Sequence, residues 1–340
     1  MRFQILGAGA WGTALALMLG RNGWRVRLTP RDPAKAEELR EAGENRSYLP
    51  GIRLEGIEVN SAILPPGAGQ RVFVLASPSA GIREWSTRLK AELEVGGGPP
   101  PLLVSLAKGL EAGSLRWPSQ ILSEVFPDFP VFALSGPNFA QEVARGQPTA
   151  AVLAGAGFST DLEALQGAMS SAKFRVYRSD DPAGVELGGS LKNVYAIGSG
   201  ICEGLGLGEN AKAALLTRSL NEMLRLVPRL NGRVETVYGL SGIGDLVATC
   251  YSTLSRNRTF GEAIGQGGAI RKSLEDGRGV VEGYFACANF HQLFKNHEIN
   301  GPIIEQIYSV LYHEKSPTDA LADLMARDLK PEQARPEGLV

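Results

Sequence analysis

Short, mostly apolar runs recur through the first half of the chain, at Phe3–Leu6, Val26–Leu28, Arg71–Leu75, Leu102–Leu106, Val131–Leu134 and Ala150–Leu153. Runs of this length that lack a polar face read as buried strands. Between several of them lie stretches with helical spacing, notably Thr13–Gly20, Asp32–Ala42 and Gly81–Leu93. Strand and helix in alternation predict right-handed crossovers and a mostly parallel sheet covered on both faces. The segment Val95-Gly96-Gly97-Gly98-Pro99-Pro100-Pro101 suits neither element and is expected as a loop.

The pattern changes near Ser179-Asp180-Asp181-Pro182, where an aspartate can cap a helix that Pro182 opens. From there to about His313 helical spacing prevails, interrupted by short breaks such as Gly265–Gly268. The expected fold class is α/β: a Rossmann-like, mostly parallel sheet domain over residues 1–180, then an all-α C-terminal domain over 181–330. Residues 331–340, with two prolines and scattered charge, are expected as a loose tail.

Composition narrows the function classes. The 340 residues include 42 Gly and 20 Pro, with 44% apolar and 21% charged side chains, which is ordinary globular usage and excludes disordered and fibrous chains. Lys and Arg total 35 against 36 for Asp and Glu, so no charge excess points to nucleic acid or an anionic membrane. Phe3–Gly20 is uncharged and reaches the length of a short spanning helix, but Gly7, Gly9, Gly12 and Gly20 punctuate it, and membrane insertion is not expected. The three cysteines, Cys202, Cys250 and Cys287, are widely spaced, with no C-x-x-C. Neither a disulfide framework nor a metal site is expected, and a cytoplasmic location fits.

Gly7-Ala8-Gly9-Ala10-Trp11-Gly12 follows the first strand and opens the first helix, the context in which G-x-G-x-x-G binds a dinucleotide. Gly7 permits the tight turn, Gly9 lets amides approach a pyrophosphate, and Gly12 lets helix pack on strand. At the end of the second strand the sequence reads Thr29-Pro30-Arg31-Asp32-Pro33. Arg31 suits the 2′-phosphate of NADP, whereas Asp32 either binds the ribose hydroxyl of NAD or caps the next helix. The reading leans to NADP with NAD accepted.

Isolated charges mark the candidate chemistry. Lys192 is the single charge between Leu187 and Cys202, where it either serves a reaction or snorkels to water. Asp245 is the single charge between Thr236 and Ser255, a partner for a buried cation or a helix cap, and Thr249 shares its face if the segment is helical. In Ser255-Arg256-Asn257-Arg258 a serine cap would set Arg256 and Asn257 at a positive helix terminus, a phosphate site or a solvated basic turn. Lys108 follows the strand Leu102–Leu106, at the sheet edge where ligands bind, and Ser135-Gly136-Pro137-Asn138-Phe139-Ala140 likewise follows Val131–Leu134, as a ligand segment or, as its Gly-Pro also suits, a plain turn. His291, His297 and His313 lack ligand spacing and read as structural or surface, so lysine is the best proton donor.

Taken together, these segments resemble the bacterial NAD(P)-dependent sn-glycerol-3-phosphate dehydrogenases. The resemblance rests on the glycine-rich turn, Ser105–Glu111, Ser135–Ala140, Glu186–Val194, Leu240–Leu246, Ser255–Arg258 and Val280–Gly283, in order. It implies reduction of dihydroxyacetone phosphate to sn-glycerol 3-phosphate by NADPH or NADH, supplying glycerophospholipid synthesis. By this resemblance Lys192 is the proton donor and acceptor. Lys108, Gly136, Asn138, Asp245, Ser255, Arg256 and Asn257 contact substrate. Ala10, Trp11, Arg31, Lys108, Ala140, Arg256, Val280 and Glu282 line the cofactor, while Asn193 and Thr249 support the reacting groups. Asn138 stands where the family usually has threonine, and Pro30 before Arg31 is a second departure. Two rivals remain: a dehydrogenase of another small hydroxy acid on the same plan, and a non-enzymatic NAD(P)-sensing module. The helical half could supply a homodimer face.

Overall fold

The computed structural model describes residues 1–93, 99–275, 280–329 and 331–332; residues 95–98 of the expected loop and 333–340 of the expected tail lie outside them. In chain order the first half runs β1 (Arg2–Leu6), α1 (Ala10–Arg21), β2 (Arg25–Thr29), α2 (Pro33–Ala42), β3 (Glu58–Val59), β4 (Arg71–Leu75) and α3 (Ile82–Glu92). It continues with β5 (Leu102–Ser105), α4 (Pro118–Val125), β6 (Val131–Ser135), α5 (Ala140–Ala144), β7 (Thr149–Gly155), α6 (Thr160–Met169) and β8 (Phe174–Ser179). The second half is helical among the described residues: α7 (Pro182–Gly204), α8 (Gly208–Leu226), α9 (Val234–Val237), α10 (Asp245–Tyr251) and α11 (Arg256–Gly265). Then follow α12 (Ile270–Glu275), α13 (Glu282–Asn296), α14 (Pro302–Tyr312) and α15 (Pro317–Met325).

All six expected strands are present, as β1, β2 and β4–β7. Two strands and three helices of the first half, β3, β8 and α4–α6, escaped the apolar-run criterion. The reason is clearest in β8, where buried Phe174 and Val176 alternate with exposed Arg175 and Tyr177, as suits an edge strand. Helix also extends past His313, because Ser316 caps α15 and Pro317 opens it. The uncharged run Phe3–Gly20 is divided at Gly7 into β1 and α1, and no helix among the described residues is long and apolar enough to cross a membrane.

The eight strands form one sheet in the order β3-β2-β1-β4-β5-β6-β7-β8. Neighbours are parallel except β6 and β7, which run antiparallel. Leu6 at the end of β1 pairs with Thr29 on one side and Leu75 on the other, so the strand order diverges there and leaves a crevice beyond the carboxyl ends. One sheet face buries Phe3, Ile5, Val74 and Val104 with α1, and the opposite face buries Leu6, Phe73, Leu75 and Leu103 with Trp85, Leu89 and Ile121.

Helix α7 is the axis of the second half, buried without a break from Gly184 to Ile201. Asp181 caps it by accepting from the Gly184 amide (2.9 Å), and its other oxygen accepts from the Arg233 amide (2.8 Å) and the Thr236 hydroxyl (2.6 Å). Glycines bring α11 against it: a Cβ at Gly200 would overlap the Arg258 carbonyl oxygen, and one at Gly261 would overlap that of Ile197. The backbones therefore touch where any larger residue would separate them. Glu186 of α7 ties the halves together by accepting from the Ser119 amide (2.9 Å) and hydroxyl at the start of α4.

Candidate active site

At the divergence of the sheet, the backbone alone builds a concavity. Gly7 has φ +118°, and a Cβ there would lie 2.8 Å from the Ala76 carbonyl oxygen at the end of β4. A Cβ at Gly12 would overlap the Gly7 carbonyl, whereas Gly9 faces open space. Gly9 heads α1 without a side-chain cap, and no acidic residue occupies the first turn. This terminus offers amides and partial positive charge to an anion, which fits a dinucleotide pyrophosphate. Ala10 and Trp11 lie in that turn, and the buried Trp11 Nε1 has no hydrogen-bond partner among the described residues. At the tail of β2, Asp32 takes the capping role: its carboxylate accepts from the Ala34 amide (2.9 Å). Arg31 is largely exposed and pairs with Glu84 (2.8 Å).

A second centre is built from side chains. Lys192 on α7 donates to Asp245 Oδ1 (2.8 Å) and to Thr249 Oγ1 (2.7 Å). The Thr249 hydroxyl in turn donates to the same carboxylate oxygen (3.1 Å). Lys108, beyond β5, crosses from the other half to donate to Asp245 Oδ2 (2.7 Å) and to the Gly136 carbonyl (2.9 Å). Asp245 thus links two ammonium groups that sequence left 137 and 53 positions away. Burial pushes the Lys192 ammonium down to about 8, Asp245 opposes that shift, and the neighbouring Lys108 charge reinforces it. Burial alone would raise the Asp245 carboxyl, but Lys108 and Lys192 hold it below the ordinary carboxylate range. A helical turn of π type, Leu240–Gly244, leads directly into Asp245. Gly242 passes so close to Val237, and Gly188 to Ser241, that no side chain fits at either glycine.

Around this centre the remaining expected residues gather unevenly. Gly136 has φ +132°, and both carboxamide atoms of Asn138 are buried without hydrogen-bond partners among the described residues. Ser255 caps α11 by accepting from the Arg258 amide (3.2 Å), so its hydroxyl is engaged. Asn257 is engaged too, donating to Asn193 Oδ1 (2.9 Å) and accepting from the Gly283 amide (2.9 Å), which fastens α7, α11 and α13 together. Arg256 stands exposed at the first turn of α11, without an ion pair or hydrogen bond among the described residues. Glu282 opens α13; burial raises its carboxyl to about 7 against Arg256, Lys108 and Lys192, although part of the residue remains exposed. Val280 is exposed beside it, and Ala140 is the first residue of α5.

One supporting residue escaped the sequence reading. Asn45, fully buried, donates to the Ala8 carbonyl (2.9 Å) and to Thr13 Oγ1 (2.8 Å), clasping the glycine-rich turn from a distant loop. A lone asparagine in a polar stretch carries no local signal of such a role. His291 is buried, stacked on Tyr308 and bonded to Glu305 (2.7 Å). Among the described residues no group of His, Cys, Asp and Glu is placed to hold a metal ion.

Residues 3–160 match the family model of the NAD-dependent glycerol-3-phosphate dehydrogenase N-terminus, and residues 181–322 that of its C-terminus. The chain is 46% identical over 338 residues to a glycerol-3-phosphate dehydrogenase [NAD(P)+] of Thermus thermophilus, covering 98% of this chain and 100% of the relative. It is 45% identical over 324 residues to the enzyme of the same name from Moorella thermoacetica, covering 95% of each. The crystal structure of glycerol-3-phosphate dehydrogenase from Coxiella burnetii superposes with a TM-score of 0.89 at 37% identity, covering 96% of this chain and 99% of that one.

Proposed function

The chain belongs to the NAD-dependent glycerol-3-phosphate dehydrogenase family, and we propose that its reaction is carried by the cluster Lys108–Asp245–Lys192. It is an NAD(P)-dependent oxidoreductase that interconverts dihydroxyacetone phosphate and sn-glycerol 3-phosphate, the latter a precursor of glycerophospholipids. The observation that carries the assignment of residues is the single carboxylate of Asp245 gripping two ammonium groups, one from each half of the molecule.

Residues 1–180 serve the dinucleotide and 181–330 most of the substrate site. The turn Gly7–Gly12 with Ala10 and Trp11 holds the pyrophosphate, Arg31 reaches a 2′-phosphate, and Ala140, Val280 and Glu282 line the cleft further in. When bound, the nicotinamide supplies the hydride that a ketone carbon accepts. As negative charge grows on the ketone oxygen, Lys192 stabilises it and delivers a proton. A cluster of two ammonium groups and one carboxylate carries net +1; after proton transfer it is neutral, with Asp245 still paired to Lys108. The carboxylate is therefore never left unpaired in a buried site. Thr249 and Asp245 aim the lysine, and Asn193 holds Asn257 beside it. Arg256, at the positive terminus of α11, grips the phosphate, with Ser255, Asn257, Gly136 and Asn138 completing the substrate wall. Remote binding free energy then orients the carbonyl.

The occupied cap at Asp32 favours NADP, because that carboxylate is committed to its own helix. Glu84 is the group that Arg31 must release to meet a 2′-phosphate. Three free cysteines support a cytoplasmic location, and exposed Val247, Tyr251 and Leu254 support a homodimer face in the helical half. A steady-state assay with dihydroxyacetone phosphate tests the reading, NADPH being compared with NADH. The expected result is turnover with both coenzymes and a lower KM for NADPH; an enzyme active on 3-hydroxybutyrate and inert to dihydroxyacetone phosphate would overturn it.

A further inference from the structure

We infer that Arg258 is a positioning residue, which locks the loop 252–255 and so fixes the phosphate-gripping terminus of α11 relative to Lys192 and Asp245. Its side chain is buried, at 8% exposure, so it is no surface cation. The guanidinium donates through Nε to the Ser252 carbonyl (3.2 Å), where α10 has just ended. Its other nitrogens meet Glu262 of α11 (3.2 Å) and Glu203 at the end of α7 (3.8 Å). The Arg258 amide is meanwhile held by Ser255 (3.2 Å), so this one residue ties both ends of the loop.

Beyond it the tie continues to the neighbouring helix. Glu203 accepts from Lys212 (2.6 Å), and that hydrogen bond holds its carboxyl below the usual range. The Lys212 ammonium lies over the Tyr251 ring (4.7 Å), on the helix that carries Asp245 and Thr249. A planar fork spreads its five donors over three nitrogens and so meets one carbonyl and two carboxylates on different sides, a span wider than the single nitrogen of a lysine covers. Because Glu262 and Glu203 offset the charge of Arg258, it does not compete for the anion, and Arg256 is left at the terminus as a cation without an ion pair among the described residues. The Arg258 carbonyl also abuts Gly200 of α7, so backbone and side chain seat α11 on the helix bearing Lys192.

The inference rests on the reading of Arg256 as the phosphate grip, and the test separates the two. Steady-state kinetics on dihydroxyacetone phosphate and on unphosphorylated dihydroxyacetone are compared for Arg258→Ala, Arg258→Lys and Arg256→Ala. In Arg258→Ala, kcat/KM for the phosphorylated substrate is expected to fall ~20-fold, mainly through KM, while that for dihydroxyacetone stays within about twofold. Arg258→Lys recovers part of the loss, since one ion pair returns. Should Arg258→Ala fail to fold, Glu203→Gln is expected to give a smaller loss of the same kind. An equal loss on both substrates, or a lowered melting temperature with an unchanged ratio, would overturn the inference while leaving the role of Arg256 intact. If Arg256→Ala itself leaves the ratio unchanged, the phosphate reading fails and the inference with it.

Discussion

Two helix N-termini serve this molecule in opposite ways. At α1 the cap is Gly9, no side chain intervenes, and three glycines within six residues shape the turn. At α11 the cap is Ser255 with its hydroxyl spent on the Arg258 amide, while the Asn193 side chain of α7 and the Gly283 amide of α13 hold Asn257 in the first turn. The first is a backbone site: it needs room, and room is written locally as glycine. The second is a side-chain site: it needs several partners at once, and those come from remote parts of the chain. A dinucleotide pyrophosphate can be held by amides that any strand–turn–helix unit provides, whereas proton transfer needs one ammonium tuned by specific neighbours.

The comparison is broken most decisively if the two sites cannot be disabled separately. Lys192→Ala should lower kcat by ~10³-fold or more while the coenzyme dissociation constant, followed by NADPH fluorescence, stays within about twofold. A loss of coenzyme binding in that variant would mean that the side-chain site reaches into the backbone one. Gly12→Val should do the reverse, since a side chain there must displace the Gly7 carbonyl. Coenzyme affinity is expected to fall ~100-fold, with kcat at saturation retained to within a few fold.

The pH profile sharpens the contrast at the next level. Reduction requires the Lys192 ammonium, and burial lowers that group to about 8. Reductive kcat/KM should therefore be level below pH 8 and fall towards tenfold per unit above it; oxidation, which needs the free amine, should rise up to that pH and then level off. Because the Lys108 charge helps to lower Lys192, Lys108→Met should carry the limb to higher pH. A limb that stays put would separate Lys108 from the acid–base centre. The smallest effect is expected for Asn45→Ala, which removes two hydrogen bonds to the glycine-rich turn. The KM for coenzyme should rise about five-fold and that for dihydroxyacetone phosphate should not move.

What could be read from the chain follows the same division. The alternation of apolar runs and helical spacing announced β1, β2 and β4–β7, and the glycine-rich turn announced its own geometry. Edge strand β8 was lost because only alternate residues are buried. Lys192 and Asp245 were conspicuous as single charges in apolar stretches, since desolvation makes such residues costly to keep. Their pairing was not encoded locally. Nor was the second ammonium on Asp245, the engagement of Asn257 between three helices, or the reach of Arg258 to Ser252.

By itself, then, the sequence determined where the backbone turns, which segments are buried and which charges are out of place. Each of these depends on the conformational freedom or solvation of a residue among its immediate neighbours. Tertiary structure alone decided which charges meet, because a contact between Lys108 and Asp245 spans 137 positions and exists only once the helices of one half have packed against the sheet of the other.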